Sequence, residues 1–272
     1  MLKIEEIEDI KEKIDGISIL VGTAKCNANC PECAGRQHRK NAPLHDGEIQ
    51  EARLREVLDY CYWKDCRYIT LTGAAEPTLS PLSVTKTLRV LKEYEVRGQK
   101  FDPVNLYTNG IRIGFEPEFC QNFFPEWHSC GLTRIYISVY DTDALQNAKA
   151  FHVSKYPELK VIFNRVKEYG FHLRTSVILK KGYTDTKEKL QSLCDKFFSM
   201  GVDNVSAWPL KNEDDSISAL APDKSELERM RGLADGKNIR LLLGDSNAKE
   251  MLGKKIALFQ DGSISDVWCA RR

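Results

Sequence analysis

The sequence predicts an α/β protein whose six strand–helix units form a partial, open (β/α)6 barrel. Short runs rich in β-branched residues alternate with longer helix-like segments over residues 16–211. Such alternation requires a parallel sheet with right-handed crossovers. Six units are fewer than the eight of a closed barrel, so we expect the sheet to curl without closing.

Each predicted strand ends in or near a glycine, a proline or a polar turn. The strands are predicted at 17–22, 67–72, 103–107, 134–140, 172–179 and 203–208. Helices are predicted between them, at 48–62, 81–97, 116–129, 144–169 and 185–200. In parallel sheets of this class, ligands bind at the C-terminal ends of the strands, so the residues that follow each strand are the first candidates for function.

Two further segments flank this core. Residues 1–15 predict an amphipathic N-terminal helix, because apolar residues recur there at spacings of two to four. After a polar linker, residues 212–272 predict a small C-terminal α/β cap on the barrel, with a helix over 222–235 and a β-hairpin. The predicted hairpin strands, 255–260 and 263–268, flank the two-residue turn Asp261-Gly262.

The composition argues against a nucleic-acid-binding, membrane or secreted protein. The chain has 272 residues, with 40 basic and 39 acidic side chains and a formal net charge of +1, which gives no strong nucleic-acid signal. No apolar stretch approaches the roughly 20 residues that span a bilayer, and the N-terminus lacks the apolar region of a signal peptide. Nine cysteines, three of them clustered, indicate thiol chemistry in a reducing compartment. We therefore expect a cytoplasmic protein with no membrane partner.

Three cysteines, Cys26, Cys30 and Cys33, follow the first predicted strand within one loop. A structural zinc site closes with four ligands, whereas a cubane iron–sulfur cluster on three thiolates keeps one iron open to a substrate or cofactor. Three residues separate the first pair and two separate the second, which is short enough for one loop to wrap a cluster. The pattern therefore predicts a catalytic iron–sulfur site.

The cysteine spacing and the segment Leu71 to Leu79, after the second predicted strand, resemble the radical S-adenosylmethionine (radical SAM) superfamily over about residues 16 to 210. The resemblance implies a partial (β/α)6 barrel, a single [4Fe–4S] cluster, S-adenosylmethionine on the open iron, and an external one-electron reductant such as flavodoxin or ferredoxin. The implied chemistry is reductive cleavage of S-adenosylmethionine to a 5′-deoxyadenosyl radical, which abstracts a hydrogen atom from a substrate.

The resemblance also implies a site for the methionine amino group. Radical SAM enzymes carry a Gly-Gly-Glu-Pro-like segment after the second strand, and Gly73, Ala74, Ala75 and Glu76 stand there in this chain. Small side chains let main-chain carbonyls approach an ammonium group, with a carboxylate nearby. Ala74 and Ala75 depart from the family pattern, as does Glu32, at a position of the cysteine motif that is often aromatic. An ordinary turn between strand and helix is the alternative.

The other strand ends supply further candidates for contact with the cofactor, namely Asn109, Ser138, Asp141, Arg174 and Trp208. Arg174 is the candidate for the methionine carboxylate, because a guanidinium pairs bidentately with a carboxylate. Trp208 is the candidate for the adenine. Structural interpretations stand beside these: Asn109 as a turn residue, Arg174 in a surface ion pair and Trp208 as a core aromatic.

The sequence does not identify the substrate, and it assigns no catalytic residue. The basic run Arg36 to Lys40, which includes His38, would bind an acidic group of a substrate or reductant, or would form a solvated loop. His45 as an acid or base, and Cys269 to Arg272 folded over the site, are further alternatives. The remaining cysteines are expected to be small buried hydrophobes: Cys61, Cys66, Cys120, Cys130 and Cys194.

Three functions remain open. The first is a radical SAM enzyme that modifies a small metabolite, nucleotide or cofactor precursor, favoured by the compact cap and the lack of auxiliary-cluster cysteines. The second is a radical SAM enzyme that modifies a macromolecule, such as a peptide, a tRNA or a glycyl-radical partner. The third is a non-catalytic zinc or electron-transfer module, which requires His38, Cys61 or Cys66 as a fourth ligand.

Overall fold

A computed structural model describes residues 14–212, 216–244 and 254–265. The six strands predicted from the sequence are present, each within three residues of its predicted bounds. The predicted N-terminal helix lies outside the described residues, except for Ile14 and Asp15, which begin the first strand instead. The strands are β1 (Ile14–Leu20), β2 (Tyr68–Thr72), β3 (Val104–Thr108), β4 (Arg134–Val139), β5 (His172–Leu179), β6 (Asn204–Pro209), β7 (Ile239–Leu241), β8 (Lys254–Leu258) and β9 (Ile264–Ser265).

The helices alternate with these strands. They are α1 (Glu51–Trp63), α2 (Pro81–Val96), α3 (Ile111–Phe115), α4 (Pro117–Ser129), α5 (Ala144–Phe151), α6 (Leu159–Glu168), α7 (Lys187–Ser199) and α8 (Lys224–Arg231), with 3-10 turns at Ala34–Asn41 and Pro77–Leu79. The single helix predicted over 144–169 is wrong. The chain leaves α5 at His152, which has a positive φ of 51°, and Pro157 follows before α6 begins. No helix in the described ranges is long and apolar enough to cross a membrane.

The nine described strands form one sheet in the order β7-β6-β5-β4-β3-β2-β1-β8-β9. Every neighbouring pair is parallel except β8 and β9, which are antiparallel. No pairing joins β7 to β9 within the described ranges, so the barrel is open as the sequence predicted. The C-terminal ends of β1 to β8 therefore lie at one edge of the sheet.

The residues predicted as a C-terminal cap also contribute strands to the sheet. β7 pairs with β6, whereas β8 pairs with β1 at the other side. β8 and β9 form a hairpin whose turn contains Gly262 at a positive φ of 78°. The sequence did not indicate that these segments extend the parallel sheet at both of its edges.

The two faces of the sheet differ in chemistry. One residue in two points toward the helices and packs with them in the main apolar core; Ile69, Leu106, Ile137 and Val177 are examples. The residues between them face the inside of the open barrel, and many of these are polar or aromatic. Closed barrels of this class fill their interior with branched aliphatic side chains. A polar inner face therefore indicates a space that holds a ligand.

Candidate functional site

The cysteine loop begins at the C-terminal end of β1 and is fixed against the start of α2. Gly22 has a positive φ of 85°, and a Cβ there would lie 2.6 Å from the Cβ of Ser80, so a side chain would not fit. The backbone N–H of Thr23 donates a hydrogen bond to the Ser80 hydroxyl at 3.0 Å. The loop therefore leaves β1 along one defined path.

Cys26, Cys30 and Cys33 lie in this loop as free, half-buried thiols. Burial raises the pKa of the Cys26 thiol, and burial together with the neighbouring Cys33 and Cys26 raises the pKa of Cys30 to about 12. Thiolates held this close repel one another, and bound metal cations remove that repulsion as they displace the protons. The set of donors is therefore suited to a cluster bound by thiolates.

Arg39 connects the cysteine loop to the segment that follows β2. Its Nε donates to the carbonyl oxygen of Ala74 at 3.1 Å, and its Nη2 lies 3.8 Å from the Sγ of Cys33. Gly35 packs against the same segment, because a Cβ there would lie 3.0 Å from the Ala74 carbonyl oxygen. The two sequence motifs are thus in direct contact, as a shared cofactor site requires.

Glu76 is buried, and its carboxylate organises the end of the second motif. Its Oε1 accepts hydrogen bonds from the backbone N–H of Thr78 at 3.0 Å and from the hydroxyls of Thr78 and Thr108 at 2.7 and 2.6 Å. Its Oε2 accepts from the backbone N–H of Asn109 at 2.9 Å. Burial raises the pKa of Glu76, and these four donors oppose that rise. The carboxylate therefore ties the end of β2 to the end of β3.

Asn109 extends this network to the cysteine loop. Its Nδ2 donates to the Oδ1 of Asn27 at 2.7 Å, and its Oδ1 accepts from the backbone N–H of Ile111 at 3.0 Å. The hydroxyl of Tyr156 donates to the carbonyl oxygen of Asn109 at 2.8 Å. No local sequence signal linked Asn27 or Tyr156 to the site. The side chain of Asn109 is engaged within the chain, and its contact with a cofactor stays a prediction.

Glu32, the acidic residue inside the cysteine motif, forms an ion pair beside the thiols. Lys180, directly after β5, donates to the Oε1 of Glu32 at 2.9 Å. The Oε2 of Glu32 is buried and has no hydrogen-bond partner in the described part of the chain. A buried acceptor left in this state is suited to a hydroxyl or amino group of a ligand. Lys180 had no signal in the sequence beyond its place after a strand.

The candidates on β4 to β6 occupy different positions. Ser138, Arg174 and Trp208 share the inner face of the sheet, and Arg174 and Trp208 line a cavity inside the barrel. Arg174 is the third residue of an eight-residue strand, so it lies well before the C-terminal end of β5. Asp141 follows β4, and its Oδ1 accepts from the backbone N–H of Asp143 at 3.0 Å, which shapes the turn into α5.

The basic run from Arg36 to Lys40 does not form one exposed cationic surface. Arg36 donates to the carbonyl oxygen of Cys30 at 2.5 Å. His38 is buried, with its ring centroid 4.8 Å from that of Phe259. Only Arg36 and Lys40 of the four basic side chains are exposed. The run therefore serves chiefly to hold the cysteine loop against the second motif.

The remaining candidates lie apart from this site. His45 is exposed, and Cys269 to Arg272 are outside the described residues. Cys66 precedes β2, and its backbone N–H donates to the carbonyl oxygen of Cys61 at 2.8 Å. This pair therefore lies at the N-terminal end of the strands, opposite the cysteine loop. Across residues 14–212, 216–244 and 254–265, no three His, Cys, Asp or Glu side chains are arranged to hold a single metal ion.

Comparison with known proteins identifies a family and a fold. The family described as the radical SAM superfamily matches residues 20–197. SuiB from Streptococcus suis, solved with bound S-adenosylmethionine, is similar in structure with a TM-score of 0.64 at 14% identity, over 94% of this chain and 58% of SuiB. The enzyme anSMEcpe, solved with AdoMet and the Cp18Cys peptide, gives 0.63 at 14% identity, over 94% of this chain and 74% of that one.

A radical SAM methyltransferase from Sphaerobacter thermophilus is also similar, with a TM-score of 0.58 at 14% identity, over 92% of this chain and 69% of that one. At this level of identity the structural likeness shows the fold alone. The chain spans 58 to 62% of the length of the SuiB structures that it matches. No curated protein matches the chain.

Proposed function

The chain belongs to the radical SAM superfamily, whose enzymes use a [4Fe–4S] cluster and S-adenosylmethionine, and we propose that it abstracts a hydrogen atom from a small-molecule substrate. One observation carries this proposal. Arg39 joins Cys33, one of the three half-buried thiols of the cysteine loop, to Ala74 of the second motif, at the edge where the C-terminal ends of the strands meet. A cluster on these thiols would adjoin the place where the motif receives the cofactor.

The residues present fit both cofactors. Cys26, Cys30 and Cys33 would bind three irons and leave the fourth open for S-adenosylmethionine. The main chain around Gly73 would receive the amino group, since a Cβ at Gly73 would lie 2.9 Å from the carbonyl oxygen of Ala75 and the segment has no room for a larger residue. The buried Oε2 of Glu32 would accept a hydrogen bond from the adenosyl group.

A reduced cluster held by Cys26, Cys30 and Cys33 would supply the electron for cleavage of the C5′–S bond of S-adenosylmethionine, which is the chemistry that would lead to hydrogen-atom abstraction. The chain contributes donors around the sulfur ligands. The backbone N–H of Ala28 donates to the Sγ of Cys26 at 3.4 Å, and the guanidinium of Arg39 lies beside Cys33. Hydrogen bonds to cluster sulfurs tune the reduction potential. Glu76 and Asn109 hold the second motif and the cysteine loop in register.

The proposed reductant is a flavodoxin-like or ferredoxin-like protein in the cytoplasm. All the described cysteines are free, which a reducing compartment maintains. Arg36 and Lys40 are exposed beside the cysteine loop and would attract an acidic partner. The affinity for such a partner would then fall as salt is added.

Anaerobic reconstitution with iron and sulfide tests the proposed function. We expect a brown protein with about four irons per chain, and reductive cleavage of S-adenosylmethionine to 5′-deoxyadenosine. A colourless chain that retains one zinc, or a cluster that leaves S-adenosylmethionine intact under strong reduction, would contradict the proposal.

A peptide is the second candidate substrate. SuiB has been solved with its precursor peptide SuiA, and anSMEcpe with the Cp18Cys peptide, and both share the fold of this chain. Recognition of a peptide would require a surface at the mouth of the barrel, whereas a small molecule would enter the polar interior. Mass spectrometry of deuterium carried into 5′-deoxyadenosine from labelled peptides or labelled small molecules separates the two.

A further inference from the structure

The inside of the barrel contains a small cavity of about 20 Å³. Its lining includes the cations Arg174, Arg240 and Lys255 and the phenols of Tyr68, Tyr107 and Tyr136. None of the described residues that line it is acidic. A cavity of this size holds about one water-sized group, so it would receive only the terminal polar group of a ligand.

Two of the cations lie against aromatic rings in place of carboxylates. The Nε of Arg174 is buried and has no hydrogen-bond partner in the described part of the chain, and its guanidinium lies 4.9 Å from the centroid of the Tyr136 ring. The ammonium of Lys255 lies 4.9 Å from the centroid of the Tyr68 ring. Cations that leave water without an acidic partner are unfavourable. A cavity that contains two such cations is suited to binding an anion.

Neutral donors complete the cavity. The hydroxyls of Tyr68 and Tyr136 are 3.2 Å apart, and the ring of Tyr107 stacks on that of Tyr136 at 4.4 Å. Burial raises the pKa of Tyr107 and of Tyr136, so both phenols stay neutral and can donate. Ser176 does not line the cavity but lies two residues after Arg174 on the same face of β5; it is fully buried, and its Oγ has no partner in the described ranges. Buried polar groups without partners are rare in native proteins.

The cavity lies deeper in the barrel than the cysteine loop. Tyr68 is the first residue of β2 and Lys255 the second of β8, whereas the cysteine loop follows the last residue of β1. The five residues from Arg174 to the end of β5 correspond to about 16 Å of strand. A methionine carboxylate held at the open iron is therefore remote from Arg174.

We propose that this cavity binds the anionic group, a carboxylate or a phosphate, of the small-molecule substrate, with Arg174 and Lys255 as the cationic ligands. The inference rests on the proposed function, which it makes specific to an acidic substrate. It assigns Arg174 to the substrate, whereas the sequence assigned it to the methionine carboxylate.

Calorimetric titration of the reconstituted holoenzyme with inorganic phosphate and with succinate tests this assignment. We expect one of the two probes to bind, which also distinguishes a phosphate site from a carboxylate site. Arg174→Gln and Lys255→Gln should each weaken that binding about tenfold or more, because each removes a charge-assisted hydrogen-bond donor. Lys155→Gln, which removes an exposed lysine, is the matched control for net charge and should leave the affinity as it is.

The affinity for S-adenosylmethionine, measured by equilibrium dialysis, separates the two assignments of Arg174. If Arg174→Gln weakens S-adenosylmethionine tenfold and leaves the anion probe unaffected, the inference is overturned; the opposite pattern supports it. Failure of both probes to bind the wild-type holoenzyme also overturns it. Iron content and thermal unfolding show whether each variant is folded, and Lys255→Gln provides an independent measurement if Arg174→Gln is not. Failure of the proposed function would appear separately, as wild-type protein that does not cleave S-adenosylmethionine.

Discussion

The mouth of the barrel, at the ends of β1 to β3, differs from the cavity inside the barrel in whether its polar groups have hydrogen-bond partners. At the mouth, the Glu76 carboxylate accepts four hydrogen bonds and Asn109 contacts the cysteine loop and α3. In the cavity, the Nε of Arg174 and the nearby Oγ of Ser176 have no partner in the described ranges. The chain satisfies its own polar groups where it must hold a loop rigid, and it leaves them unsatisfied where a ligand would supply the partner.

This difference separates stability from binding. Glu76 and Asn109 at the mouth stabilise the folded chain because their side-chain polar atoms are already paired, so their removal leaves buried groups without a partner. Groups in the cavity are unfavourable to the empty protein and become favourable only with an anion present. Substitutions in the two regions should therefore change folding in opposite directions.

The largest effect is expected at the three cysteines of the mouth that we propose as cluster ligands. Cys30→Ala removes one of the three thiolates, and we expect loss of iron and a fall of more than about a thousandfold in S-adenosylmethionine cleavage. Iron analysis and 5′-deoxyadenosine formation measure this. Cys130→Ala is the matched control, because Cys130 is a half-buried thiol at the end of α4 and should retain both properties. Equal losses in the two variants would count against the assignment of the ligands.

A smaller effect, on stability, is expected for the hydrogen-bond network of the mouth. Glu76→Ala leaves the donors of Thr78, Thr108 and Asn109 without an acceptor, and we expect the free energy of unfolding to fall by about 3 kcal/mol. Anaerobic urea unfolding measures the change. Glu168→Ala, at an exposed position in α6, should change it by less than about 0.5 kcal/mol. A loss at Glu76 no larger than at Glu168 would show that the network is not structural.

Much of this architecture could be predicted from the sequence, because its signals are local. Cysteine spacing predicted a metal loop, which stays a prediction, and short β-branched runs identified β1 to β6. β7 was not predicted, since its three residues are too few to show a period. The parallel pairing of β8 with β1 joins residues more than two hundred positions apart, which no local pattern encodes.

The polar interior of the barrel has a signal in the sequence, which is the alternation of polar and apolar residues along the strands. Strands of a parallel sheet are usually apolar on both faces, but β4 alternates polar and apolar residues as Arg134, Tyr136 and Ser138 against isoleucine and valine. The same alternation in β5 and β6 predicts a polar interior. The contacts of Glu76 had no such signal, because the direction of a side chain after a strand depends on the packing of neighbouring loops.

The pH dependence of anion binding tests whether Lys255 binds the anion in the cavity. Burial and the nearby Arg240 lower the pKa of Lys255 to about 8, so the ammonium loses its proton as pH rises through that value. We expect the affinity for succinate, if that is the probe that binds, to fall by about tenfold between pH 7 and pH 9. An unchanged affinity across this range would contradict the role of Lys255.

Other titratable groups face Lys255 and require controls. The described groups are Arg240, Arg174, Cys66, Tyr68, Tyr107 and Tyr136. The arginines stay charged, and burial raises the pKa of Tyr107 and of Tyr136. Cys66 and Tyr68 are therefore the groups to exclude. The slope should persist in Cys66→Ala and in Tyr68→Phe and disappear in Lys255→Gln.

The smallest expected effect is a change in the free energy of unfolding, and its sign distinguishes the cavity from the mouth. Arg174→Met replaces a cation that has no carboxylate partner among the described residues with an apolar side chain of similar length, and it should raise the free energy of unfolding by up to about 1 kcal/mol in the absence of anion. The loss of the cation–π contact with Tyr136 limits the gain. Arg112→Met is the matched control, because Arg112 donates to the carbonyl oxygen of Thr78 at 2.6 Å and to Glu116 at 2.7 Å, so its removal should lower stability.

Urea unfolding of both variants without anion, and again with saturating anion, gives the comparison. Added anion should stabilise the wild type and leave Arg174→Met nearly unchanged, since only the wild-type cavity would then gain a partner for its cation. If Arg174→Met is destabilised as much as Arg112→Met, the guanidinium of Arg174 is a structural group like those at the mouth.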